Sequence, residues 1–337
     1  VLSAIHDQGL TVPTSNEETL SQLYSAIEEA HHAIRPQVAL TPLSFSPGLS
    51  AQSGAQVYLK CEHLQHTGSF KFRGASNKLR LLDEESRRQG VITASSGNHG
   101  QALALAGQHL GVPVTVYTAS YTSPIKLDAM RRFGANVITL DTDSLGAELE
   151  ASKQSQATGK PFISPYNDLE IIAGQGTIGM EIIEQLPELD AIFVAVGGGG
   201  MISGIAAVLK KHNPAIRVVG CWPEVAPTMQ RSIEAGEIIQ MEEGETISDG
   251  TAGGVEPGAI TLPLCQRLID ETVLVSEEEI HTAMREVARH ERWIIEGAAG
   301  VAVAGLLKQS KACAGQRVAA VVCGRNIMLD QFLSAVR

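Results

Sequence analysis

Ala191-Ile192-Phe193-Val194-Ala195-Val196-Gly197-Gly198-Gly199-Gly200-Met201-Ile202-Ser203-Gly204-Ile205-Ala206-Ala207-Val208-Leu209 changes character twice along its length. The first six residues are an unbroken apolar run, the pattern of a strand buried on both faces. Four glycines follow, and Met201 to Leu209 reads as a helix. A strand, a glycine turn and a helix in that order belong to an α/β fold with parallel sheets. Glycines between strand and helix let backbone N–H groups converge on an anion, and the helix start adds its positive end. Gly197, Gly198, Gly199, Gly200 and Met201 therefore read as a phosphate cup. The Gly-Lys-Ser/Thr ending of a nucleoside triphosphatase loop is absent, as is the spacing of a dinucleotide fingerprint, so neither reading stands. A merely flexible glycine turn suits the strand and helix on either side less well.

A second stretch, Thr67-Gly68-Ser69-Phe70-Lys71-Phe72-Arg73-Gly74, places one lysine between two aromatics. Phe72, Ala75, Leu79 and Leu82 recur at helical spacing, and Ser69 is the expected N-cap. Desolvation and the positive helix end both disfavour charge on Lys71. A neutral amine there can form a Schiff base with a carbonyl. Taken alone, the stretch is better explained by a lysine with a packed stem and a wet head.

Ser95-Ser96-Gly97-Asn98-His99-Gly100 follows the short strand Val91–Ala94 and opens an alanine-rich helix running to Leu110. Small polar side chains and free N–H groups at a helix start suit a carboxylate. Asn98 offers both a donor and an acceptor. Alone, this too would pass for an ordinary cap.

A Schiff-base lysine, a phosphate cup and a carboxylate loop together describe an enzyme that holds pyridoxal phosphate and an amino acid. The chain resembles the fold-type II pyridoxal-phosphate enzymes of the threonine/serine dehydratase and serine racemase group. The matching segments are Thr67–Gly74, Ser95–Gln101, Ile172-Ala173-Gly174-Gln175-Gly176-Thr177-Ile178-Gly179, Gly197–Gly204 and Cys323-Gly324-Arg325-Asn326. They stand in the family's order and span most of the chain.

The resemblance implies a tryptophan synthase β-like fold of two parallel-sheet lobes with the cofactor between them. The large lobe would comprise residues 1–84 and 166–337, and the small inserted lobe 85–165. It also implies that Lys71 carries the cofactor and, once displaced by substrate, takes the α-proton. Phe70 would pack near the cofactor ring, Asn98 would meet its ring hydroxyl, and Gly197–Met201 would hold its phosphate. The substrate carboxylate would lie on Ser95, Ser96, Gly97, Asn98 and His99.

Cys323 follows the apolar strand Val318–Val322, and ligands in α/β sheets sit beyond strand carboxyl ends. In the resembled family a Ser or Cys at this place meets the pyridine nitrogen. A near-neutral thiol leaves the ring a poorer electron sink than a carboxylate would, which favours prompt loss of a β-substituent. Ser96 stands where dehydratases of the group often have Ala and serine racemases have a Ser serving the face opposite the lysine. Ser96 is thus either a second catalytic residue or one more hydroxyl of the carboxylate loop.

The implied reaction is α,β-elimination of a β-hydroxy amino acid such as L-threonine or L-serine to a 2-oxo acid and ammonia. Alternatives are serine racemisation, or dehydration of a specialised substrate, hydroxyectoine-derived or 3-hydroxyaspartate. The wording Thr251-Ala252-Gly253-Gly254-Val255-Glu256 after Asp249-Gly250 departs from the usual dehydratase pattern and favours such a substrate. The racemase-type divalent site is doubtful, because its matching positions are Trp222 and Thr228, and Glu224 alone makes a poor hard-cation site. No metal is expected. A β-replacement synthase and a non-catalytic phosphate binder are competing readings from other classes.

The chain has 337 residues, 44% hydrophobic and 19% charged, enough for one large unit or two intimate lobes. A formal net charge of −11 argues against nucleic acid or an acidic membrane surface as partner. Apolar runs are strand-length, so no membrane span is expected. The start of the chain lacks the basic and apolar regions of a secretory signal. Five scattered cysteines without zinc or redox spacing fit a reducing cytoplasm. A homodimer or homotetramer is expected from the resemblance.

Periodicity predicts a capping box at Ser15–Glu18 before an amphipathic helix through Leu20, Leu23, Tyr24 and Ile27. It predicts strands at Gln56–Cys61, Val91–Ala94, Val112–Tyr117, Ala135–Leu140, around Ile163, and at Ala191–Val196, Ile216–Cys221, Thr272–Val275 and Val318–Val322. Long helices are expected near Ile171–Gln185 and Glu277–His290.

Overall fold

The computed structural model describes residues 16–337, with side chains from Glu18 onward. Among the described residues nine strands form two sheets. In chain order they are β1 (Leu43–Phe45), β2 (Gln56–Lys60), β3 (Val91–Ala94), β4 (Val114–Ala119), β5 (Asn136–Leu140), β6 (Ala191–Ala195), β7 (Arg217–Pro223), β8 (Glu271–Val275) and β9 (Arg317–Val321). The larger sheet has the order β1-β2-β9-β6-β7-β8, and the smaller is β3-β4-β5. All pairings are parallel except β1 with β2.

The fold follows from the apolar runs. Every residue of β6 is buried, and helices cover both faces of the large sheet. A second core lies between the helices Lys71–Arg80 and Asn98–Leu110 and the smaller sheet. The helix Leu169–Gln185 packs closely on Gly200–His212. A Cβ at Gly204 would stand 2.6 Å from the backbone nitrogen of Gly176, so the family segment Ile172–Gly179 serves helix contact here. No helix among the described residues is long and apolar enough to cross a membrane.

Strand order positions the site. Strands β2, β9 and β6 are neighbours, with Lys60 opposite Val321 and Phe193 opposite Ala320. Their carboxyl ends lead to the lysine loop, to Cys323 and to the glycine loop, which therefore emerge side by side. The carboxyl end of β3 leads to Ser95.

Several expectations change. Ser69 is not an N-cap: the helix starts at Lys71 with Phe70 at the cap position. Ser69 instead forms an isolated bridge with Gly324, and Phe70 N donates to Cys323 O at 3.1 Å. That pairing fixes the backbone extended before the helix begins. The strand expected around Ile163 is a single bridge of Ile92 with Phe162. Strand β4 starts at Val114, because Gly111 ends the preceding helix in the left-handed region. Ser15, and with it the expected capping box, lies outside the described residues; the helix that follows is Asn16–Ile34, with Leu23 and Ile27 buried.

A buried charge cluster anchors the lysine helix. Arg73, two residues after Lys71, donates to Glu62 (Nε to Oε2, 2.8 Å) and to Glu181 (Nη1 to Oε1, 2.7 Å). Lys60 Nζ donates to Glu181 Oε2 at 2.6 Å and to Thr41 O at 2.7 Å. All four charged residues are buried. Two cations and two carboxylates balance, and their hydrogen bonds offset the cost of desolvation. The cluster ties β2, the turn after it and the helix Leu169–Gln185 to the first turn carrying Lys71.

Candidate active site

Lys71 occupies the first turn of its helix, and its Nζ donates to the carbonyl oxygen of Pro165 at 2.7 Å. The amine stands 5.2 Å from the centre of the Phe70 ring. Burial pushes its pKa down to about 8, against an upward pull from Cys323 and Glu296. Thr67 Oγ1 and Ser69 Oγ, just before it in the chain, are buried without a hydrogen-bond partner.

The glycine loop lies opposite. Gly199 has φ +85°, a left-handed conformation that disfavours side chains. A Cβ at Gly198 would stand 2.4 Å from the Tyr166 ring. Gly200 and Met201 open the helix Gly200–His212, whose first N–H groups have no preceding carbonyl to bond. Gly197 and Gly198 remain half-buried, without side chains to fill the space before them. Tyr166 walls the loop, and its hydroxyl accepts from Glu256 N at 2.9 Å.

In the loop after β3, Ser95 Oγ accepts from Gly97 N (3.1 Å) and Gly100 N (3.0 Å), so Ser95 closes the turn. Ser96 is exposed and Gly97 is the N-cap of the helix Asn98–Leu110. His99 is buried, with Nε2 3.2 Å from Ile163 O and Nδ1 unpartnered. Burial, then the Lys71 charge, push its pKa down to about 3, so the ring is neutral. The His99 side chain thus points into the protein, and its backbone N–H is the part at the helix start.

Cys323 is buried, and burial followed by the charge of Glu296 raises its thiol well above the usual range. It is a neutral S–H at physiological pH. Asn98 Nδ2 donates to both oxygens of Glu296, at 2.9 and 3.1 Å. Asn326 donates its backbone N–H to Glu296 Oε2 at 3.0 Å and its Nδ2 to Asn98 Oδ1 at 2.5 Å and Thr67 O at 2.8 Å. Glu296, Pro165 and Tyr166 carry no sequence signal of a site, and Asn326 stands in a matching segment without an expected role. The only sequence signal for Glu296 is an acid before an apolar helix, and that reads as a cap.

The site brings together Phe70, Lys71, Asn98, the glycine loop and Cys323 from distant parts of the chain. Such a set fits pyridoxal phosphate: an amine poised for a carbonyl, an open glycine cup for a phosphate, and a neutral thiol for a ring nitrogen. Away from it, Trp222 is buried within β7, Thr228 Oγ1 donates to Glu243, and Glu224 pairs with Lys308 at 3.5 Å.

The family model described as pyridoxal-phosphate dependent enzyme matches residues 34–324. An L-threonine ammonia-lyase of Thermotoga maritima is 41% identical over 91% of this chain and 77% of its own. A serine racemase of Arabidopsis thaliana is 38% identical over 88% of this chain and 89% of its own. The solved structure of processed threonine deaminase isoform 2 from Solanum lycopersicum superposes with a TM-score of 0.91 at 33% identity, covering 97% of this chain and 94% of that one. On this geometry and these matches, the chain belongs to the pyridoxal-phosphate dependent enzymes, within the fold-type II group of threonine/serine dehydratases and serine racemases.

Proposed function

We propose that the protein is a lyase that releases ammonia from a β-hydroxy amino acid such as L-threonine or L-serine, by way of loss and return of one water, leaving a 2-oxo acid. The observation that carries this reading is the Lys71 amine, lowered to about 8 and set close to the neutral thiol of Cys323. Bound there, pyridoxal phosphate supplies a sink for the electron pair left at the α-carbon. Lys71 and Phe70 would hold it, with Asn98 at its ring hydroxyl, Gly197–Met201 at its phosphate and Cys323 at its ring nitrogen. The N–H groups of the loop 95–99 orient the substrate carboxylate. The Lys71 amine takes the α-proton. The β-hydroxyl leaves as water with one further proton, and a water molecule returned on hydrolysis releases ammonia.

The Thr41–Glu62–Arg73–Glu181 contacts hold the lysine helix still while its first turn does this work. A division into residues 1–84 with 166–337 and an inserted unit 85–165 accords with two separate sheets. We further infer a cytoplasmic homodimer or homotetramer; five buried, unpaired cysteines suit a reducing compartment.

Racemisation is the second reading. It is favoured by the exposed, unengaged hydroxyl of Ser96 at the mouth of the carboxylate loop. A specialised dehydratase substrate, hydroxyectoine-derived or 3-hydroxyaspartate, stays within the same chemistry. Assay of 2-oxo acid and ammonia over a panel of β-hydroxy amino acids tests the two dehydratase readings, and chiral chromatography of the remaining amino acid tests racemisation. Release from L-threonine or L-serine supports the main reading. Little ammonia from any of these, with a new amino acid formed once a second nucleophile such as sulfide is added, would replace it by β-substitution.

A further inference from the structure

Glu296 is a buried carboxylate to which the elimination chemistry assigns no step. It lies at the N-cap of the helix Gly297–Lys308, yet its side chain caps no N–H of that helix. It turns the other way, toward residues 198 and 30 positions distant in sequence. Its oxygens accept Asn98 Nδ2 and Asn326 N, and Oε1 lies 4.0 Å from Cys323 Sγ. Burial raises its pKa, and the Asn98 and Asn326 donors oppose that rise. Lys126, Asp249 and Lys71 are the further charges that act on it.

The hydrogen bonds leave no freedom in how the Asn98 amide is turned. Asn326 Nδ2 must face Thr67 O, because a carbonyl accepts and does not donate. Its second hydrogen then meets Asn98 Oδ1. The nitrogen of Asn98 is thereby left for Glu296. Two oxygens of one carboxylate subtend far less than the angle between the hydrogens of an amide. One Asn98 hydrogen therefore serves both oxygens, and the other is left over. Every donor and acceptor in the chain from Thr67 through Asn326 and Asn98 to Glu296 fits only this arrangement.

We propose that Glu296 is a positioning residue: it fixes the Asn98 amide with its nitrogen, and one unspent hydrogen, turned to the group that sits against Lys71. The role rests on the reading of this site as a pyridoxal phosphate site, and it concerns an oxygen acceptor on that group. A glutamine at 296 has the same shape but carries an NH2 where Asn98 needs an acceptor. With its NH2 against Asn98 it turns that amide over, and an oxygen then faces the bound group in place of a hydrogen; with its NH2 against Asn326 N it leaves that backbone donor unpaired and loosens the contact that holds Asn98.

The test is Glu296→Gln in the holoenzyme, with Asn98→Asp and the double variant beside it. The double variant transposes amide and acid, so the contact between the two side chains is restored. In each single variant, the visible absorption band of the bound cofactor is expected to move. The rate constant kcat should fall by about tenfold or more, the size of a lost hydrogen bond to a charged group, with KM changed far less. The double variant should recover thermal stability but neither band nor kcat, because Asn98→Asp leaves no side-chain N–H for the bound group. A purely structural Glu296 would alter melting but leave the band in place. A wild-type band and kcat in Glu296→Gln, or a double variant that regains the wild-type band without the Asn98 N–H, overturns the proposal. Should Glu296→Gln fail to fold, Asn98→Asp alone decides, since it sets a second carboxylate against Glu296: an unmoved band overturns the role. A wild-type chain that stays colourless with added pyridoxal phosphate removes the site reading itself. A coloured wild type with an indifferent Gln variant removes only the role of Glu296.

Discussion

Lys71 donates its amine to the carbonyl oxygen of Pro165, 94 residues away in sequence, at 2.7 Å. A backbone carbonyl can hold an ammonium but cannot stabilise it as a carboxylate would. The amine is thereby aimed without being locked in its charged form, and burial keeps its pKa near about 8.

The first expectation concerns pH. Only the neutral amine attacks a carbonyl, and the neutral fraction rises with pH. In cofactor-free protein, the rate of pyridoxal phosphate uptake should climb with pH and level off just above pH 8. An ordinary lysine at 10.5 would still be climbing there. Stopped-flow absorbance at a series of pH values measures this. A rate still rising tenfold per unit beyond about pH 9 would mean the amine is not desolvated. After borohydride reduction, mass spectrometry should find the adduct on Lys71, and Lys71→Ala should stay folded without turnover.

The glycine loop gives a second prediction. Gly198→Ala puts a methyl 2.4 Å from the Tyr166 ring, and Gly199→Ala puts one 2.7 Å from Cys265 Sγ in a left-handed conformation. The latter backbone cost alone is of order 1–3 kcal/mol. Both variants should bind pyridoxal phosphate at least about tenfold more weakly, since about 1.4 kcal/mol suffices for that. Gly199→Ala should also melt earlier. Fluorescence titration with the cofactor and thermal unfolding read the two effects separately.

The buried charge cluster predicts a stability effect distinct from chemistry. Replacing Arg73 by Met leaves Glu62 and Glu181 facing each other and Lys60 without solvent. Removing one partner from such a set costs about 3–5 kcal/mol. Denaturant unfolding of Arg73→Met should show that loss, and Arg73→Lys should recover only part of it, because one ammonium cannot reach both carboxylates as the guanidinium does. A loss below about 1 kcal/mol would mean that the cluster is no more than a surface-strength pair.

What the sequence made legible was whatever changes period or composition locally. Ala191–Leu209 announces strand, cup and helix by itself, whereas Lys71 between two aromatics reads as a desolvated amine only once the glycine cup and the Ser95–Gly100 loop stand beside it. The Ser69 cap failed because its backbone is held by Gly324, far along the chain. Glu296 was invisible for the same reason. Its partners Asn98 and Asn326 come from other elements, and in sequence it looks like any acid before a helix. The carbonyl of Pro165 carries no side-chain signal at all. Ser95 was read as part of a carboxylate loop, and its hydroxyl closes the turn of that loop by accepting from Gly97 N and Gly100 N, a contact no local pattern announces.

Cys323 separates two accounts of the ring nitrogen. A neutral thiol can share a hydrogen with that nitrogen but does not hold it protonated, as a carboxylate would. Cys323→Asp should keep cofactor binding while slowing elimination, because a protonated ring stabilises the carbanion and allows it other fates. Product ratios by chromatography beside the ammonia assay measure this. Wild-type rate and ratio in the variant would place the thiol away from the nitrogen.

Ser96 decides between dehydration and racemisation. On the proposed reading Lys71 serves one face of the substrate; its amine is held by Pro165 and by the helix start. A proton for the opposite face needs another donor. Ser96 is exposed and makes no recorded hydrogen bond, whereas Ser95 beside it has its oxygen occupied by Gly97 and Gly100. If the Ser96 hydroxyl delivers that proton, Ser96→Ala should abolish most conversion of L-serine to D-serine, while 2-oxo acid formation from L-substrates largely survives. Chiral chromatography of the amino acid pool, run beside the ammonia assay, measures both. Absence of any D-isomer from the wild type ends the racemase reading. Equal racemisation by wild type and Ser96→Ala reduces Ser96 to one hydroxyl of the carboxylate loop.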